Sequence, residues 1–347
     1  MTWCLSTQAM RQLLLNMALP LFFFLSACPA LANEPESVKV GIFVTDIYAI
    51  NFADKHFTAQ FWAWFNHTQP SFSPKSSIEI PGARRFQLLN IYHEERNNAI
   101  WDQAKFDATI NHAWDTTYYP FDRQTLKLTV ELADADAKKL RFVPDTTGSR
   151  VSSDLSLAGW QIEKVQIISN DQSYNTAYGD PELHPDGPSR YSRATLEIHM
   201  KRHGWRLLFN DFTGFFFAII LAFTSLLVNA NRRTIVKIIA NVKISMANGS
   251  LFASVGAAYV LQDRLPMTTS FTLADAIQLT AFGTTFISIL TILIVEHILN
   301  TDTVINADSA LKQQRINLAL KFSRIVVFVV LLLLIADAII LVKAVTS

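Results

Sequence analysis

Bond-breaking machinery is absent from the 347 residues: there is no G-x-S-x-G elbow, no H-E-x-x-H helix and no Walker loop. An enzyme has no residue support, and the sequence calls for no metal and no cofactor. The residues able to do chemistry are polar groups set inside apolar sequence. Between Thr234 and Leu261 a helix-length segment holds Lys237, Asn241, Lys243, Ser245, Asn248, Gly249, Ser250, Ser254 and Gly256 where a lipid-facing helix would be Leu and Ile. On a 3.6-residue repeat Ser245, Gly249, Phe252, Gly256, Tyr259 and Asp263 fall on one stripe, small or polar apart from two aromatics. Polar groups at bilayer depth are costly unless they face protein or water. Two readings stay open: small residues packing tightly against another helix, or a helix lining water. One polar helix per chain encloses water only when several copies surround an axis, so the second reading implies a cyclic homo-oligomer. A ring of Phe252 side chains could then close the path by dewetting, and rings of Lys243 or Asp263 would bias the charge of the permeant ions. Arg232, Arg233, Lys237 and Lys243 at the inner end lean towards anions, although the positive-inside rule explains the same charges without selectivity.

Other residues stand out singly. Asp211 and Asp337 are carboxylates inside apolar spans, where such groups are functional or paired. His199 and His203 lie at the end of a strand pattern, as a pH switch or as plain surface residues. The stretch from Ser169 to Ser192 shows no strand pattern and carries Tyr174, Tyr178 and Tyr191, which favours a functional loop.

The elements that must position these residues fall into three parts. Residues 1–32 read as a signal peptide: Leu13 to Ala27 is apolar behind Arg11, and Ala30-Leu31-Ala32 is a small-x-small cleavage site. Both cysteines, Cys4 and Cys28, lie in it, so the mature chain has no disulfide; Leu25-Ser26-Ala27-Cys28 also fits a lipobox. Residues 33–205 alternate with period two, as in Leu126–Leu132, Leu196–Met200, Val38–Ile42 and Phe57–Phe65, which indicates a β-sandwich. A short helix is expected around Arg84 to Leu89. Residues 206–347 hold four apolar helices, about 207–228, 234–261, 273–299 and 316–345, each long enough to span a bilayer. Arg232, Arg233 and Lys237, and then Lys312, Arg315, Lys321 and Arg324, are cytoplasmic by the positive-inside rule, which puts the β-domain in the periplasm of a bacterial inner membrane. Composition agrees: half the residues are hydrophobic, 17% are charged and the net charge is +1, which argues against a nucleic-acid partner.

Together these parts resemble the pentameric ligand-gated ion channels, in their Cys-less bacterial branch. Tyr118-Tyr119-Pro120-Phe121-Asp122-Arg123-Gln124 is similar to the family's aromatic-Pro-Phe-Asp-x-Gln loop. Arg264-Leu265-Pro266-Met267-Thr268-Thr269-Ser270 with Phe271–Asp275 resembles the linker between the second and third spans, and Lys201-Arg202 the end of the last strand. The first span lacks the family's usual proline, Phe252 stands where an aliphatic gate ring is usual, and no acidic ring marks the cytoplasmic mouth.

The resemblance implies a homopentamer in the lipid bilayer, opened by a small molecule or by protons. It implies that Pro120, Phe121 and Asp122 rest on the linker at Pro266 and that Asp122 pairs with Arg202. Agonist would bind between subunits, against Tyr174, Tyr178 and Tyr191 and facing Trp62, Trp64 and Trp160; such rings hold ammonium groups, although a Trp on a sandwich is more often core than ligand box. The competing reading is a non-conducting receptor or scaffold of the same architecture, motivated by Phe252 and the two glycines of the stripe.

Overall fold

The computed structural model describes residues 34–179, 188–228, 233–265, 270–300 and 309–346. The signal segment with Cys4 and Cys28, the linker residue Pro266, Arg232 and the side chains of Arg233 and Lys237 lie outside the described residues.

The N-terminal half is two sheets. The first has the order β4 (Ala83–Arg96), β5 (Ala99–Asn111), β2 (His56–His67), β1 (Glu36–Asn51) and β7 (Leu140–Pro144), with β8 (Arg150–Val151) also on β1. The second runs β3 (Ile78–Glu79), β6 (Arg123–Leu132), β10 (Ser189–Arg202) and β9 (Trp160–Tyr174). A single turn of helix, α1 (Pro74–Ser77), precedes β3. Period-two patterning drives both sheets together: Phe57, Ala59, Phe61, Ala63 and Phe65 of β2 are fully buried, as are Leu126, Leu128, Val130 and Leu132 of β6. One apolar cluster is shared by the two sheets, an arrangement compatible with a sandwich. Each large side chain so buried contributes roughly 1.5–3 kcal/mol.

Two local expectations are corrected. Arg84 to Leu89 is strand, paired with β5 through Phe86 opposite Ala108 and Leu88 opposite Phe106. This is an edge strand exposed on both faces along most of its length, so it carries no period-two signal. The 169–192 stretch is strand at both ends, since β9 runs to Tyr174, β10 begins at Ser189, and Asn170 pairs with Arg193. Polar side chains such as Asn170, Asp171 and Gln172 hide a strand held by its backbone ladder and by bonds such as Arg141 to Asp171 at 2.7 Å.

Four long apolar helices follow: α2 (Trp205–Leu227), α3 (Arg233–Arg264), α4 (Leu273–Asn300) and α5 (Ser309–Thr346), all long and apolar enough to cross a membrane. The last begins earlier than its apolar pattern, so Lys312 and Arg315 sit in its first turns. Thr272 caps α4 with a reciprocal Asp275: the Thr272 N–H donates to the carboxylate at 2.9 Å and the Asp275 N–H to the Thr272 hydroxyl at 3.2 Å. Helix α3 packs on α2 and α4, and α5 packs on α4 and to a lesser extent α2. Small residues set the α2–α3 distance, because a Cβ on Gly214 would meet Ala257. Ser250 donates to the Ala218 carbonyl at 2.8 Å and lies 2.5 Å from the Thr285 hydroxyl, tying α3 to both neighbours.

Candidate functional site

The loop between β5 and β6 is a hub between the halves. It contains a cis Tyr119–Pro120 peptide bond. At its end Arg202 of β10 donates from Nε to Asp122 Oδ1 at 2.7 Å and from a terminal nitrogen to Oδ2 at 3.2 Å, with both side chains buried. Gln124 donates to the same carboxylate at 2.7 Å and to the Asp115 carbonyl at 2.7 Å, which fixes the loop. The guanidinium lies 4.0 Å from the ring centre of Trp160, 4.5 Å from that of Phe52 and 5.3 Å from that of Tyr119. Bidentate hydrogen bonding and three π-faces compensate a charge removed from water. Trp160, half-buried, is thus placed at the wall of the Arg202 site. Phe52, unremarked in the sequence, stacks on Trp114 at 4.3 Å, and Trp114 meets His112 at 4.3 Å. Burial holds His112 below its ordinary value of 6.5, helped by Lys127 and opposed by Gln124.

Each helix of the apolar half meets this loop or its partners. Phe121 packs edge-on against Trp205 at 5.1 Å, and a Cβ on Gly204 would strike the Pro120 carbonyl, so only glycine fits there. The Tyr119 hydroxyl donates to the buried Asp211 of α2, which also accepts from Arg264 at the end of α3. The Leu273 N–H of α4 donates to the Thr117 carbonyl at 2.9 Å, and the Lys343 ammonium of α5 lies 6.0 Å from the Tyr118 ring centre. The rule that an intramembrane carboxylate is functional or paired is the signal that marks Asp211; its partners are not readable from spacing. Asp337, the other such carboxylate, faces Thr280 of α4.

On α3 the stripe is largely outward. Ser245, Phe252, Gly256, Tyr259 and Asp263 are exposed, with Phe252 77% and Tyr259 70% accessible. A Cβ on Gly256 would meet nothing within 4 Å. Gly249 is half-buried and, with Ser245, Met246 and Leu221, lines a groove of ≈ 530 Å³ between α2 and α3. Ser250 and Ser254 are fully buried on the opposite face. Lys243 is corrected: at about 100° per residue it lies roughly 160° from Ser245, and it is half-buried on the side of Ala247, Ser250 and Ser254. Among the described residues, Asp263 is the charge on the stripe.

The aromatic candidates split between the sheets. Tyr174, Tyr178 and Tyr191 form a triad on the β9–β10 hairpin with ring centres 5.6–6.3 Å apart. Beneath it Arg193 pairs with the buried Glu131 and donates to the Tyr174 hydroxyl at 2.5 Å. Burial, then Glu131, pushes Tyr174 up to about 12. Trp62 and Trp64 lie on β2, on the face away from the core; Trp62 stacks on Tyr92 at 5.8 Å with the Lys105 ammonium 5.8 Å from its ring centre. The Trp64 indole crosses Gly41, where any Cβ would collide with it, and donates to Asp145 at 3.2 Å. No single chain brings the triad and Trp62 together, because they sit on different sheets. His199 lies 3.0 Å from the Thr125 hydroxyl and 3.8 Å from Glu197, and the His203 N–H donates to the Gly159 carbonyl. No family model and no curated protein matches this chain.

Proposed function

We propose that the chain is one subunit of a homopentameric ion channel of the pentameric ligand-gated type. It sits in a bacterial inner membrane with its β-domain in the periplasm, is opened by a small ligand or by protons, and conducts along the α3 stripe. The observation that carries this reading is the two-faced character of α3. Its buried face is satisfied within the subunit through Ser250 and Ser254. Among exposed apolar residues such as Leu251 and Val255, its outward face presents Ser245, Tyr259 and Asp263, whose polar groups a water-filled lumen solvates better than lipid. The Asp122–Arg202 joint supports the gating part, since every helix meets the loop that carries it or that loop's partners. Losing one partner of such a buried pair costs roughly 3–5 kcal/mol, so a shift of the β-domain is transmitted and not absorbed. The ligand site is assigned between subunits, with the tyrosine triad of one chain against Trp62 of the next.

The test is current recording from the purified full-length protein in planar bilayers, over a range of pH and of small amines. Step-like currents that grow in Phe252→Ala are expected, because removing the ring would relieve the dewetting assigned to Phe252. Silence in every condition, with Phe252→Ala also sealed, would sink the channel reading and leave a non-conducting receptor of the same architecture.

A further inference from the structure

Asp211 lies in the outer end of α2, with its carboxylate fully buried. A carboxylate at that depth must be compensated, and both of its partners come from other elements: the Tyr119 hydroxyl from the hub loop and the Arg264 guanidinium from the last turn of α3. The two partners differ in their access to water. Tyr119 is 5% exposed, whereas the Arg264 side chain is 50% exposed. Water can therefore replace Asp211 as the partner of Arg264 but cannot reach Tyr119, and the three-way contact opens on the α3 side. Tyr119 also faces the Arg202 guanidinium, so this contact adjoins the Asp122–Arg202 pair. We infer that Asp211 is a latch: a positioning residue that holds the outer end of α3 to the hub loop, and whose release of Arg264 frees that end to move. The role in gating rests on the channel reading; the mechanical role does not.

The experiment uses the full chain carrying Cys4→Ser, Cys28→Ser and a nitroxide on Gln262→Cys, an exposed position two residues before Arg264. Asp211→Asn and Arg264→Gln should each raise nitroxide mobility. Arg264→Lys, which keeps the charge, should restore most of the order, and the double variant should be no looser than either single one. In bilayers both single variants should shift the activating concentration or pH in the same direction by about tenfold or more, equivalent to about 1.4 kcal/mol of coupling, with maximal current retained. Arg264→Gln keeps the test alive if Asp211→Asn fails to fold, since Arg264 is half-exposed. Unchanged mobility in Arg264→Gln, or additive loosening in the double variant, would overturn the latch. Loosened α3 with no current in any variant supports the latch and overturns the channel reading instead.

Discussion

His112 sits at the far end of an aromatic stack that runs through Trp114 and Phe52 to the Arg202 guanidinium. Burial favours its neutral form, so its folded value lies below the ordinary 6.5. The sign follows from linkage. Above about 6.5 both folded and unfolded chains hold a neutral imidazole; as pH falls below it the unfolded chain takes up the proton first. Stability is therefore present above that value and is lost as pH falls towards the folded one. Wild-type protein should show an unfolding midpoint that drops below about pH 6.5 more steeply than that of His112→Gln; parallel profiles would remove His112 from the account. At this scale the sequence was legible in part. The Pro120-Phe121-Asp122 run and Arg202 are visible as residues, and the resemblance pairs them. Phe52 and Trp160 are invisible as a cage, because the contact joins a turn after β1 to the start of β9, and no spacing rule reports such a meeting.

Helix α3 presents two chemically distinct faces, which makes the lumen assignment testable without any agonist. Single cysteines at Ser245, Phe252, Gly256 and Tyr259 should react with a charged, membrane-impermeant thiol reagent at least about tenfold faster than cysteines at Ser250 and Ser254, since only ionised thiols in water attack readily. Equal reactivity on the two faces would place the stripe against protein or lipid. The stripe was legible because a 3.6-residue repeat is local geometry: once Ser245 is outward, Phe252, Gly256, Tyr259 and Asp263 must follow it. The same geometry removes Lys243, two residues from Ser245 and so nearly opposite it. Charge type alone had suggested a mouth residue, but angular position decides. Strand β4 failed to show itself for a related reason: an edge strand open to solvent on both faces needs no alternation, so its pairing with β5 is written in the fold and not in its own pattern.

At the scale of the whole molecule, the helices are not equivalent. Helix α5 is the most apolar span and the least buried, with 6% of its most apolar window enclosed, while α3 carries the polar stripe and packs on α2 and α4. The bundle therefore offers an apolar side at α5 suited to lipid and a separate polar side at α3. The proposed ring of copies would satisfy both at once, with α5 outward and α3 around the axis. In the proposed ring the outer face of one chain's first sheet would meet the β9–β10 hairpin of the next, which would bring Trp62 and Tyr92 to the tyrosine triad. Exposed positions on the two sides are Tyr178 on the hairpin and Tyr92 on β4. Paired cysteines at Tyr178 and Tyr92, in a chain lacking Cys4 and Cys28, should form disulfides between subunits on mild oxidation. A denaturing gel should then show a ladder ending at five copies, because closure of a ring of identical head-to-tail contacts limits the series. A ladder that stops at two would require a two-fold contact of the same patch with itself, and a single band without a ladder would mean that these faces never meet. Either result would overturn the proposed ligand site between subunits, since that site requires a closed ring in which the hairpin of one copy meets the first sheet of the next.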